Sequence, residues 1–262
     1  MATLFPGRIH VLVFILVLGF IALFYILTTK KDKLPKVRPI AGLEAIKELV
    51  GRAVEMGKPV HFTPGWTSGS LYSLEAIDVI AGMSVLRHLA RMVAEYKGRI
   101  IVSLSSAELL PMTEEIVRSG FMSAGRPEAY RPEDIRFLSD QQWAYSSGVL
   151  GILTREQVAS NVMVGPFKAE AVLFAEAAFV AGAIQVAGTA SVYQTPFFVA
   201  CCDYVIIGEE VYAAGAYLSG DIRQLGSIRG ADVCKTLVIV IMIVGVILSL
   251  LGIPIVSQFL NF

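Results

Sequence analysis

The sequence is poor in charge, cysteine and histidine, and each shortage excludes a class of protein. Only 17% of its 262 residues are charged, and 22 basic side chains balance 22 acidic ones. A nucleic-acid binder carries a basic excess on one face, so no nucleic-acid partner is expected. The three cysteines are Cys201, Cys202 and Cys234. Two are adjacent, the count is odd, and no CxxC or Cys/His spacing occurs, so neither a disulfide framework nor a metal site is expected. The thiols read as reduced and mostly buried, as in a reducing compartment. The glycines form neither a GxGxxG nor a Walker spacing, so no cofactor is expected. There is no internal repeat and no low-complexity segment.

What is abundant is apolar surface. Hydrophobic residues make up 55% of the chain and the mean hydropathy is +0.65, above the roughly 45–50% apolar usage of soluble domains. The excess gathers at both ends and near residues 160–216. Residues 11–29, VLVFILVLGFIALFYILTT, carry no charge. About 20 such residues in a helix cross a hydrocarbon core of ~30 Å. A cleaved signal peptide has a shorter apolar core followed by a small-residue cleavage site. Here the run ends at Thr28 and Thr29 and meets Lys30, Lys31, Asp32 and Lys33, so an uncleaved anchor is expected. Residues 236–256, TLVIVIMIVGVILSLLGIPIV, form a second uncharged run, with Lys235 before it.

Basic residues set the orientation of such spans. Lys30, Lys31, Lys33, Lys36 and Arg38 follow the first run, and Arg223, Arg229 and Lys235 precede the second. Both inner flanks are therefore positive. The expected organisation is a short external N-terminus (1–10), a transmembrane helix (11–29), a basic linker (30–41), a cytoplasmic domain (42–235), a second transmembrane helix (236–256) and a short external C-terminus (257–262). This places the chain in a cell inner, or plasma, membrane.

Between the spans, helical and strand patterns alternate. Ala45, Ile46, Leu49, Val50, Ala53 and Val54 recur at helical spacing over 43–57. Residues 59–62 read as a strand, followed by the turn-rich loop TPGWTSGSLYS. A helix over 73–96 has Val79, Met83, Leu86, Ala90 and Val93 as one stripe. Strands are expected at 99–104, 161–164, 184–187 and 197–202. Helices are expected at 111–119, 141–153, 169–181 and 209–218. Residues 125–140 and 219–234 read as loops. The fold class is α/β: a mostly parallel sheet flanked by helices, bracketed by an N-terminal and a C-terminal transmembrane helix.

Candidate ligand positions follow from chemistry at strand ends and loops. The loop with Thr67, Ser68, Gly69 and Ser70 could present N–H groups to an anion at a helix start; a capped structural turn is the competing reading. His61 stands beside that loop, and strand ends are where open α/β sheets hold ligands. Asp203 follows the apolar FFVACC segment and could bind a cation, act as a base, cap a helix or pair with an arginine. Gln185 and Thr189 put an amide and a hydroxyl in an apolar setting, where their partners are backbone, a ligand or a neighbouring subunit. No catalytic residue can be named. In the second span Gly245 and Ser249 are four apart, with Gly252 nearby, which makes a small-residue surface for close helix packing.

The segments HFTPG, FLSDQQWAY, AIQVAGTA and CDYVIIGEEVYAAGAYLS resemble the recurring blocks of an uncharacterised family of bacterial membrane-anchored proteins, a domain of unknown function. The resemblance covers roughly residues 40–235. It implies a membrane-anchored bacterial protein and carries no activity with it. The leading expectation is a self-associating structural or scaffold protein of a membrane assembly, in which no catalytic motif is recognised. Its partners would be membrane lipid, further copies of itself and other membrane proteins. The alternative is a membrane-bound enzyme or binding module for a small anionic ligand at the strand ends. A third reading, in which residues 169–207 enter the bilayer as part of a transporter, is opposed by the cost of burying Glu170, Glu176 and Asp203 there.

Overall fold

The computed structural model describes residues 9–29, 40–67, 70–219 and 222–251. It divides into two compact units, Arg38–Ser219 and the pair of end segments Met1–Val37 with Gly220–Phe262.

In the central unit six strands form one sheet: β1 (Val60–Thr63), β2 (Ile100–Leu104), β3 (Ile135–Phe137), β4 (Ser160–Val164), β5 (Ile184–Thr189) and β6 (Tyr204–Ile207). Their order is β3-β2-β1-β4-β5-β6, and every pairing is parallel. Parallel strands covered on both faces read as continuous apolar runs, and β1, β2 and β4 are buried at every position. Helices α2 (Ala41–Glu55), α3 (Ala76–Glu95), α4 (Leu110–Ser123) and α8 (Glu210–Ser219) cover one face over Val60, Phe62, Val102, Leu104, Val162 and Val186. Helices α5 (Gln142–Arg155), α6 (Glu170–Val180) and α7 (Thr195–Cys201) cover the other over Met163 and Ala187. Helices after β1 and β2 lie on one face and helices after β4 and β5 on the other. The winding therefore reverses between β1 and β4, as in doubly wound folds.

Three segments differ from the sequence reading. Residues 197–202 were expected as a strand, but most of them belong to helix α7. Pro196 stands in the first turn of that helix, where its missing N–H costs nothing, whereas a strand would lose a ladder bond. The β-branched run Tyr204–Ile207 takes the ladder position instead. Cys201 is consequently exposed and Cys202 only half-buried, so Cys201 does not pack in the core. Residues 135–137, expected in a loop, form edge strand β3. Three residues bonded on one side to β2 carry too little periodicity to stand out from flanking prolines. Residues 219–234, expected as a loop, are helical from Ile222.

That helix, α9 (Ile222–Leu250), pairs with α1 (Ile9–Thr28) in the second unit. Both are long and apolar enough to span a membrane. At 29 residues, α9 extends about 43 Å, longer than a ~30 Å hydrocarbon core. The small residues that let the helices approach are Gly226 against Tyr25 and Ile26, and Gly230 against Ala22. Cys234 follows one turn later, its thiol 3.6 Å from the Leu18 carbonyl. Arg229 lies over the Tyr25 ring at 5.6 Å. GSIRG is thus a small-xxx-small surface that the sequence reading passed over in favour of Gly245, Ser249 and Gly252. On α9, Gly245 is half-buried and Ser249 exposed; Gly252 lies outside the described residues.

Candidate functional site at the carboxyl edge of the sheet

The reversal between β1 and β4 marks the carboxyl ends of Thr63 and Val164 as the place where an open α/β sheet forms its ligand crevice. Here the chain's own backbone fills it. Gly65, at φ +85°, lies so close to the Pro166 carbonyl that a Cβ would collide with it, and Gly165 lies equally close to the Pro64 carbonyl. Trp66 N–H donates to the Pro166 carbonyl at 3.0 Å. The Ser105 hydroxyl donates to the Gly65 carbonyl at 2.9 Å. The Thr63 hydroxyl accepts from Gly65 N–H and bonds the buried Tyr145 hydroxyl. Above this closure the Trp66 indole N–H donates to the Asp140 carbonyl at 2.8 Å, and the Lys168 ammonium stands 4.7 Å over its ring. Glu170 is buried at the start of α6, where it accepts from the Gln142 amide and from Lys168 N–H. Acids stabilise helix N-termini in this way. A phosphate-cradling turn would lead straight from β1 into a helix. Here α3 begins only at Ala76, after a separate turn at Ser70–Tyr72.

A domain of unknown function, DUF6754, matches residues 2–260. The chain belongs to that family. No curated protein and no solved structure matches it. DUF6754 includes both apolar helices as well as the domain between them, a wider stretch than the four blocks that carried the resemblance.

The candidate residues of this DUF6754 chain do not form one cluster. Thr67 and Thr189 are at the carboxyl edge, and both are engaged locally: the Thr67 hydroxyl donates to Ser73, and the Thr189 hydroxyl accepts from Ser191 N–H. Ser70 opens the short turn after the loop; Ser68 and Gly69 lie outside the described residues. Asp203 precedes β6 at the opposite, amino edge, where its carboxylate accepts from Gln185 N–H at 2.7 Å. The Gln185 amide donates to the Ala175 carbonyl. His61 lies within the sheet rather than at its end, directly opposite Asn161 on β4.

Around His61 a polar row crosses the sheet beneath α5 and α6. Asn161 is opposite both His61 and Gln185, and Ser103 is opposite Arg136. The His61 ring bonds Asn161 Oδ1 through Nδ1 at 2.7 Å and the Ser103 hydroxyl through Nε2 at 2.8 Å. One neutral tautomer satisfies both: Nδ1–H donates to Asn161, and Ser103 O–H donates to Nε2. Burial pushes the His61 pKa down to about 4; the bond to Asn161 opposes this and the nearby Arg136 charge adds to it. The order Ser–His–Asn is that of a hydrolytic relay. All three side chains are fully buried, so the Ser103 hydroxyl has no open face for a substrate. Among the described residues Asn161 Nδ2 has no hydrogen-bond partner. The row is a core polar network, missed by sequence reasoning because Ser103, His61 and Asn161 belong to three separate strands. Beside it, Arg99 forms a two-pronged bond to buried Asp134 and a third to Glu156, which also binds Arg136. The Arg136 bond first, and then Arg99, holds the Glu156 carboxyl below its usual range. Among the described residues no group of three or more His, Cys, Asp or Glu side chains is placed to hold a metal.

Proposed function

We propose that the protein is a membrane-anchored, self-associating structural component of a bacterial membrane assembly, with its α/β domain on the cytoplasmic side. Two helices with the length and composition of membrane spans support the anchoring. The basic flanks on the domain side of both spans support the orientation.

The observation that carries self-association is the outer surface around α7. Phe179, Val180, Val192, Tyr193, Phe197 and Val199 are between 49% and 81% exposed, all within 21 residues of sequence. Helix α7 has seven residues, of which only Phe198 is buried, so it turns most of its apolar side chains outward. Exposed apolar side chains on α7 and on the chain to either side of it support an interface there. A second copy suits it better than the bilayer surface. Residues 169–222 contain six acidic side chains and no lysine or arginine, and an anionic leaflet attracts basic segments instead. The crevice filled at Gly65 and Gly165 agrees with a structural role.

The test is the mass of the full chain in mild detergent and in lipid nanodiscs. A defined multiple of 28.3 kDa is expected by mass photometry. Tyr193→Glu and Val199→Glu, both at exposed positions, should dissociate the assembly, and Gly245→Leu should weaken it through the membrane. A monodisperse monomer in both media at low micromolar concentration would refute the proposal.

A further inference from the structure

Opposite the filled crevice, at the amino edge of the sheet, is an open pocket of about 330 Å³. It lies where α2, α3 and α4 end, and its floor is apolar: Ile100, Val117 and Phe121 are almost wholly buried. Five cationic residues line it, Lys58, Lys97, Arg99, Arg126 and Arg131, against two acids, Glu128 and Asp134. Asp134 is consumed by Arg99. Glu128 stands 3.9 Å from Arg126, whose guanidinium also donates to the Ala94 carbonyl. Lys58, Lys97 and Arg131 have no ion pair among the described residues. In a chain of zero formal net charge, this is a local excess of three positive charges around a concavity.

Helix C-termini attract cations without any ligand, and three helices end here. That explains charge near the helix ends, but not a concave space with an apolar floor beneath a cationic rim. Lys97 adds a further cost: it occupies a left-handed position, φ +62°, although Gly98 follows it directly. A side chain other than glycine, asparagine or aspartate is uncommon in that conformation.

We propose that this pocket binds a small organic phosphate monoester, its phosphate held by Lys58, Lys97 and Arg131 and its carbon skeleton resting on the Phe121 floor. The volume lies at the small end of ligand pockets, which begin near ~300 Å³. The chemistry is shared by soluble phosphate esters and by the headgroup of phosphatidic acid. The site is independent of the α7 surface, so its failure would leave self-association untouched.

The experiment is isothermal titration and thermal shift on the full chain in a non-ionic detergent at matched ionic strength. The probes are glycerol 3-phosphate, short-chain phosphatidic acid and inorganic phosphate. Saturable binding of at least one ester is expected, with inorganic phosphate weaker because it gains nothing from the floor. Binding of glycerol 3-phosphate supports a soluble ligand; binding of phosphatidic acid alone supports a lipid headgroup. Lys97→Ala and Arg131→Ala remove exposed side chains that the fold does not need, and each should weaken binding about tenfold or more while leaving the unliganded melting temperature nearly unchanged. No saturable binding of either ester at millimolar concentration, or binding unchanged in both variants, would overturn the assignment.

Discussion

His61 makes the stability of the domain depend on pH in a way that can be isolated. Its pKa is 6.5 in an unfolded chain and about 4 in the buried row. Between those values the unfolded chain binds a proton that the folded protein does not. The contribution is therefore fully present above pH 6.5 and is lost as the pH falls towards 4. Lowering the pH from 7.5 to 4.5 should cost roughly 2.5 kcal/mol from this side chain alone. For a domain of this size that is a fall of roughly 5–10 °C in melting temperature. Carboxylates such as Glu156 titrate in the same direction, so the single curve is not diagnostic and the comparison with His61→Gln is. At pH 7.5 the variant should be less stable by about 1–3 kcal/mol, because Ser103 and Asn161 lose well-placed partners. At pH 4.5 the gap should close or reverse, since glutamine has no proton to exclude. Thermal denaturation of the detergent-solubilised chain at both values measures the double difference. The His61 ring should also show no titration above pH 5 by NMR. Parallel pH slopes for wild type and variant would refute the buried neutral histidine.

The filled crevice predicts that Gly65→Ala destabilises the domain by more than the ~1–2 kcal/mol of a left-handed alanine, because its Cβ also meets Pro166. Gly182→Ala is the control, since Gly182 has φ +72° but nothing within 4 Å of a Cβ; thermal melts should separate the two, and equal losses would contradict the loop packing. In the monomer released by Tyr193→Glu a maleimide should label exposed Cys201 quickly and Cys202 slowly, since burial raises the Cys202 pKa to about 12, with mass spectrometry reading the order, and the assembled protein should protect Cys201. In membranes, Leu18→Cys should form a disulfide with Cys234, whereas Val11→Cys, about 10 Å further along α1, should not; the reverse result would displace the register set by Gly226 and Gly230.

Local patterns alone were enough for the two apolar helices, the α/β class and most elements of the central domain. Uncharged runs of 19 and 21 residues and the stripe from Val79 to Val93 are local patterns, and local periodicity survives without knowledge of the fold. Where the pattern was short or ambiguous, tertiary pairing decided. Phe197–Cys202 is as apolar as a strand, yet the edge of β5 is taken by Tyr204–Ile207. Ile135–Phe137 is a strand only because β2 offers it an edge. GSIRG looks polar until Ala22 and Tyr25 are laid against it. The candidate site depended on the fold still more. His61, Ser103 and Asn161 are 42 and 58 residues apart in the chain and meet only because the strand order puts β2, β1 and β4 side by side. That same order placed the candidate crevice between β1 and β4, and backbone contacts no composition reveals filled it. Lys58, Lys97 and Arg131 are unremarkable in sequence; three helices ending at one edge bring them together around a pocket.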